Sequence, residues 1–176
     1  MQKHVRFFAF MMLATLVSTA ATAQTKKKWT PYTTKYYGVQ FDLPSSWKTD
    51  WDDETKVFTA LSPNEELALV FKAFKDETVE AGDLWDAAAD EIAGDDFKLE
   101  GEVEEYKNMG GLHSWVGIGH GTVNDVYAVI SILAAINPKT DDNLVAYVFA
   151  DPEVADETDI ETMVDILESF RVWKGK

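Results

Sequence analysis

The sequence predicts an α+β domain built as a three-layer α/β/α sandwich: a mostly antiparallel sheet of six or seven strands with a helix on each face. Three observations predict it. Strand-like segments dominate the chain, several of them alternating apolar and polar residues with a period of two. Two other segments repeat their apolar residues at spacings of three and four, one mid-chain and one near the C-terminus. Finally, Val126 to Ile136 (VYAVISILAAI) and Leu144 to Ala150 (LVAYVFA) are apolar almost throughout, the pattern of strands covered on both faces. A sheet needing cover on both sides and two helices with one apolar face each fit together in that arrangement.

The chain opens with a short basic head, Met1 to Arg6, followed by an uncharged apolar run, Phe7 to Val17, and the small-x-small sequence Ala21-Thr22-Ala23. That is the pattern of a cleaved export signal over residues 1–23, with cleavage expected before Gln24. The apolar run falls short of the roughly 20 residues a membrane-spanning helix needs. The expected product is periplasmic or extracellular, soluble, and without a membrane span in the mature chain. Lys3 and Arg6 leave with the signal, so 14 basic residues then face 31 acidic ones and the net charge falls from −15 to −17. Residues 24–34 are polar and basic at their start and read as a flexible lead-in; residues 35–176 read as a single domain. A mature chain of this length can bury roughly 70% of its unfolded surface.

Tyr37 to Leu43 alternates, with Val39, Phe41 and Leu43 on one face, and Pro44-Ser45-Ser46 is expected to end this strand. Val57 to Leu61 and Leu67 to Phe74 read as the next two strands, joined through Ser62-Pro63-Asn64. Thr78 to Ile92 switches to helical spacing, with Leu84, Trp85, Ala88, Ala89 and Ile92 inward and Gly94 as its stop. Phe97 to Tyr106 and Leu112 to Ile118 read as strands around a turn at Asn108 to Gly111. The two apolar strands follow as a hairpin across the turn Asn137 to Asn143. Thr158 and Glu161 have capping-box spacing at the start of the last helix, which buries Ile160, Met163, Val164, Leu167 and Phe170. Arg171 and Lys174 sit where they suit the negative end of its dipole.

Tyr37-Gly38-Val39-Gln40-Phe41-Asp42-Leu43-Pro44-Ser45-Ser46-Trp47, a strand running into a Pro-x-x-Trp corner, resembles the PsbP-like family. That family shares its fold with the Ran-interacting Mog proteins and with exported bacterial proteins of the DcrB kind. The mid-chain helix, the Gly110-Gly111 turn and the ending Ile166-Leu167-Glu168-Ser169-Phe170 also fit, so the resemblance covers about Lys35 to Trp173. It implies a binding or assembly factor with no shared catalytic site. The lack of cysteine departs from lipid-anchored bacterial members.

The residues offer little chemistry. Without cysteine there is no disulfide, zinc-thiolate site, iron–sulfur cluster or thiol nucleophile, and an acidic chain is a poor partner for nucleic acid. His113 and His120 lie seven apart on and beyond a strand, which puts them on opposite faces unless a bulge intervenes. Gly117-Ile118-Gly119-His120-Gly121 lacks the third glycine and the following helix of a dinucleotide fingerprint, and reads as a glycine-rich strand end. Asp50-Trp51-Asp52-Asp53-Glu54 is a dense acidic loop that a hard cation would suit, although the EF-hand pattern is missing. Asp151 to Asp159 is a second acid-rich loop, partly explained by the helix start. Of the six tryptophans, Trp85 and Trp115 are expected in the core; Trp29 and Trp51 lie in polar segments, where packing against the sheet ends is the default and an exposed protein or glycan contact the alternative. No catalytic, cofactor-binding or metal-binding residue is assigned, and no cofactor is expected. The functional expectation is an exported, non-enzymatic binding or accessory module, monomeric or weakly oligomeric, acting through a protein partner. A carboxylate-based, metal-assisted hydrolase and a weak divalent-metal binder are the rival readings.

Overall fold

A computed structural model of the chain describes residues 28–74 and 79–175. The expected signal and residues 24–27 lie outside the described residues. The elements run β1 (Trp29–Thr34), β2 (Val39–Pro44), β3 (Lys48–Asp52), β4 (Val57–Leu61), β5 (Leu67–Ala73), α1 (Leu84–Ala93), β6 (Lys98–Met109), β7 (Leu112–Val123), β8 (Val126–Asn137), β9 (Asp142–Ala150), α2 (Glu157–Glu168) and β10 (Arg171–Val172). The strands form two sheets, one of seven in the order β3-β4-β5-β9-β8-β7-β6 and one of three in the order β1-β2-β10. Every pairing is antiparallel.

Alternate residues of the two apolar strands enter different cores, as the pleat requires. Ile130, Ile132 and Ala134 of β8, with Val145 and Tyr147 of β9, pack with Leu84, Trp85, Ala88 and Ala89 of α1. Leu133, Ala135, Leu144, Ala146 and Val148 pack on the other side with Met163, Ile166 and Leu167 of α2 and with Val39, Phe41 and Leu43 of β2. Both faces of the large sheet are therefore covered, which explains why these strands carry almost no polar residue. The strands expected in a single sheet divide into two, and the small sheet shares a core with α2. The large sheet does have seven strands, but β3 takes the place expected for Tyr37 to Leu43.

Two polar segments account for that exchange. Residues 29–34, expected as lead-in, form β1 instead, pairing Tyr32 with Phe41 and stacking their rings 6.4 Å apart. Asp50 to Asp52, expected in a loop, belong to β3, where Trp51 pairs with Phe58 and turns its indole toward the main core. Only one of the five β3 residues is apolar, so no alternation marks it. Pro44 stays inside β2 at its last position, opposite Trp29.

Three glycines of β7 face α1 and the segment that follows it. A Cβ on Gly117 would stand 2.6 Å from the Trp85 ring, one on Gly119 2.5 Å from the Phe97 ring, and one on Gly121 2.9 Å from Ala93. The glycine-rich strand is thus a close-packing surface for α1, whose Trp85 indole donates to the Ile132 carbonyl at 3.2 Å. The helix begins at Leu84, later than expected, after a short 3-10 turn over Ala81–Asp83. Gly94 ends it with φ of 52°, a conformation glycine adopts without a Cβ penalty.

The cap of α2 lies two residues before the expected one. Asp156 accepts from the Asp159 amide at 3.0 Å and Asp159 accepts from the Asp156 amide at 3.2 Å, a capping box made by two aspartates. The same spacing recurs at 158 and 161, but Asp156 has the extended backbone an N-cap requires. At the other end, Arg171 donates to the Ser169 carbonyl at 2.7 Å, serving the helix end as expected. It also grips both carboxylate oxygens of Asp42 on β2, at 2.9 and 2.8 Å.

Candidate binding surface

The β1–β2 turn places two consecutive tyrosines on opposite sides of the chain. Tyr37 is 3% exposed and Tyr36 61% exposed. The Tyr37 hydroxyl donates to the Lys56 carbonyl at 2.7 Å, which ties this turn to the β3–β4 turn. Burial pushes the Tyr37 phenol above its ordinary pKa. Rings then accumulate around that bond: Tyr36 stands edge-on to Tyr37 at 4.9 Å and 6.4 Å from Trp51, and Trp51 lies 6.1 Å from Tyr37. The Lys56 ammonium sits 5.4 Å from the centre of the exposed Tyr36 ring.

Two acids of the segment Asp50 to Glu54, Asp52 and Asp53, are committed to this corner. Asp52 accepts from the amides of Glu54 and Thr55 at 2.7 and 3.1 Å, and bonds to Thr55 hold its carboxyl below the usual range. Asp53 accepts from the Trp51 indole at 2.9 Å and lies 3.6 Å from the Lys56 ammonium. Their work is to shape a turn and orient an indole. Among the described residues no group of three or more His, Asp or Glu is placed to hold a metal ion.

The histidines stay apart. β7 pairs with β8 without a shift from His113 to Val123, so the odd spacing leaves the two rings on opposite faces. His113 meets Glu105 at 2.8 Å and lies 4.2 Å from the Trp115 ring. His120 meets Glu100 at 3.0 Å and lies 5.6 Å from Tyr127. Each therefore pairs with its own glutamate on the edge strand β6, and Ser114 beside His113 is buried with no partner for its hydroxyl among the described residues.

One buried phenol, Tyr147, and one half-buried phenol, Tyr106, have carboxylate partners. Tyr147 donates to the Ala88 carbonyl and to Glu91, both at 3.1 Å, and burial raises its pKa strongly. Tyr106 donates to Glu104 at 2.6 Å and is raised for the same reason. Burial also raises the Glu168 carboxyl, helped by the neighbouring charges of Asp165 and Glu104.

For Trp29 and Trp51 the sequence left packing against the sheet as the default and an exposed contact as the alternative. Both are half-buried and packed against the main core, while Trp85 and Trp115 are in the core as expected. Sequence reasoning missed Tyr36, whose exposure depends on which way a turn faces. A second exposed apolar group, Val126 and Tyr127, lies just after the β7–β8 turn, where Asn124 and Asp125 take positive φ.

No protein-family model matches the chain, and no curated protein matches it in sequence. The architecture does match solved structures. The Ran-binding protein Mog1p of Saccharomyces cerevisiae superposes with a TM-score of 0.59 over 84% of this chain and 96% of its own, at 6% identity. The fold is of the PsbP/Mog kind. Cyanobacterial PsbP (CyanoP) from Synechocystis agrees, with a TM-score of 0.55, 85% and 95% coverage and 14% identity. At these identities the shared property is the PsbP/Mog-like fold alone. No helix among the described residues is long and apolar enough to cross a membrane.

Proposed function

We propose that the chain is an exported accessory module that binds a protein partner, with the corner of Tyr36, Trp51 and Lys56 as its contact surface. The observation that carries this reading is a 61% exposed tyrosine standing on a rigid aromatic base. Tyrosine supplies a large amphipathic contact area at low conformational cost, and rigid aromatic anchors dominate protein interfaces. The yeast structure of the same fold is that of a Ran-binding protein, which supports a binding role. The leader over residues 1–23 would direct the chain out of the cytoplasm, with cleavage before Gln24. The rest would act as a single domain in three layers, with α1 outside one face of the large sheet and α2 beside the small sheet outside the other.

The test replaces Tyr36 with alanine and measures capture of a partner from the cell envelope. The variant is expected to fold as the parent does and to lose the partner. Equal capture by both proteins would move the contact surface elsewhere.

A further inference from the structure

A second surface has the opposite character to the rest of the chain. The Gly110-Gly111 turn, the β8–β9 turn and the segment after α2 enclose an open cleft of about 730 Å³. Its lining includes Lys139, Arg171 and Lys174, together with Trp173, Gln40 and Asn108, and no aspartate or glutamate. This is unexpected in a chain whose acids outnumber its bases 31 to 16. Asp42 takes up the charge of Arg171 through the two-oxygen pair. Lys139 and Lys174 have no carboxylate within ion-pair distance among the described residues. The Lys139 ammonium reaches only the Trp173 carbonyl, at 3.4 Å.

The walls are fixed. A Cβ on Gly110 would run into the backbone and side chain of Arg171, and one on Gly111 would stand 3.1 Å from Val172. The Val172 amide donates to the Gly110 carbonyl at 2.9 Å and the Trp173 amide to the Gly38 carbonyl at 2.8 Å. Arg171 is further held by Gln40 at 3.2 Å. Two cations without a carboxylate partner among the described residues therefore stand at the rim of a cleft whose floor is immobilised, and a cleft lined by one sign of charge concentrates counter-ions. The volume lies in the range of small-molecule sites, roughly 300–1,000 Å³.

We propose that this cleft binds a small organic anion, its carboxylate or phosphate oxygens meeting Lys139 and Lys174 and its apolar part lying against Trp173. This does not depend on the partner surface proposed above, because no residue of the Tyr36 corner lines the cleft.

The test is an amide and indole NMR titration of the purified protein with phenyl phosphate and with benzoate, using phenol as the uncharged control. Saturable shifts of Gly110, Gly111 and the Trp173 indole are expected with at least one anion, weakening as salt is added. The stronger of the two anions assigns phosphate or carboxylate. The double variant Lys139→Gln/Lys174→Gln should bind about tenfold more weakly, or worse. Both lysines are exposed, so the fold should be unchanged, which the rest of the spectrum reports. Three results would overturn the proposal: no saturation at millimolar anion, equal binding of phenol, or unchanged affinity in the double variant.

Discussion

Two groups of aromatic rings meet in this molecule and differ in what they face. Phe41, Phe58, Phe71 and Phe170 are buried, with Phe41 stacked on Phe170 at 4.5 Å and edge-on to Phe58 and Phe71 at 5.1 and 5.6 Å. These rings come from β2, β4, β5 and the link from α2 to β10, so one cluster, just beyond the second helix, joins the small sheet and the large sheet. Tyr36 and Trp51 lie beyond it, and Tyr37 connects the two groups by standing edge-on to Phe71 at 5.4 Å. One continuous network thus has a packed end and an exposed end, and the exposed end is the contact surface proposed above. Rings anchored in a packed interior lose little freedom when a partner covers them, which lowers the entropic cost of binding.

Phe41→Ala removes the ring that touches three other phenylalanines and should cost about 3–5 kcal/mol of stability by urea unfolding. A loss under about 1 kcal/mol would mean that the inner cluster does not hold the sheets together. Tyr37→Phe keeps the ring but deletes the bond to the Lys56 carbonyl. A loss of about 0.5–1.5 kcal/mol is expected, with partner binding weakened as the two turns loosen. An unchanged midpoint would separate the corner from the network.

A titration at the margin of the inner cluster sharpens the picture. Glu168 lies two residues before Phe170, and its carboxyl is raised by burial and by Asp165 and Glu104. A raised carboxyl holds its proton more tightly when folded, so its contribution is complete below the unfolded value of about 4.3 and is lost as pH rises through the folded one. Glu168→Gln should therefore raise the melting temperature slightly at pH 7 and leave it unchanged near pH 4. The opposite pH trend would place Glu168 in a favourable environment. Tyr36→Ala has the smallest effect on stability, within about 0.5 kcal/mol, since the ring rests on the surface.

Much of this was legible in the sequence. The alternation at Val39, Phe41 and Leu43, the helical spacing from Leu84 to Ile92, and the continuous apolar runs of β8 and β9 all report burial directly, because each is local. The parts that were not legible depend on distant residues. β1 and β3 are polar segments that become strands only because β2 and β4 offer free edges. The division into two sheets follows from pairing β2 with β1 and β10, the last of which lies some 130 residues away. The exposure of Tyr36 beside the buried Tyr37 is set by the geometry of one turn, and the basic cleft gathers Lys139 and Lys174 from segments that composition reads only as part of an acidic chain.

The central claim is that the exposed end of the aromatic network meets a partner. It is tested most directly by replacing Tyr36 with a photo-crosslinking phenylalanine analogue in the chain's own cells and, in parallel, doing the same at Val154. Val154 is exposed to a similar degree on the β9–α2 loop. A discrete cross-linked protein from position 36 and none from position 154 is the predicted result. The same products from both positions, or none from position 36, would contradict it.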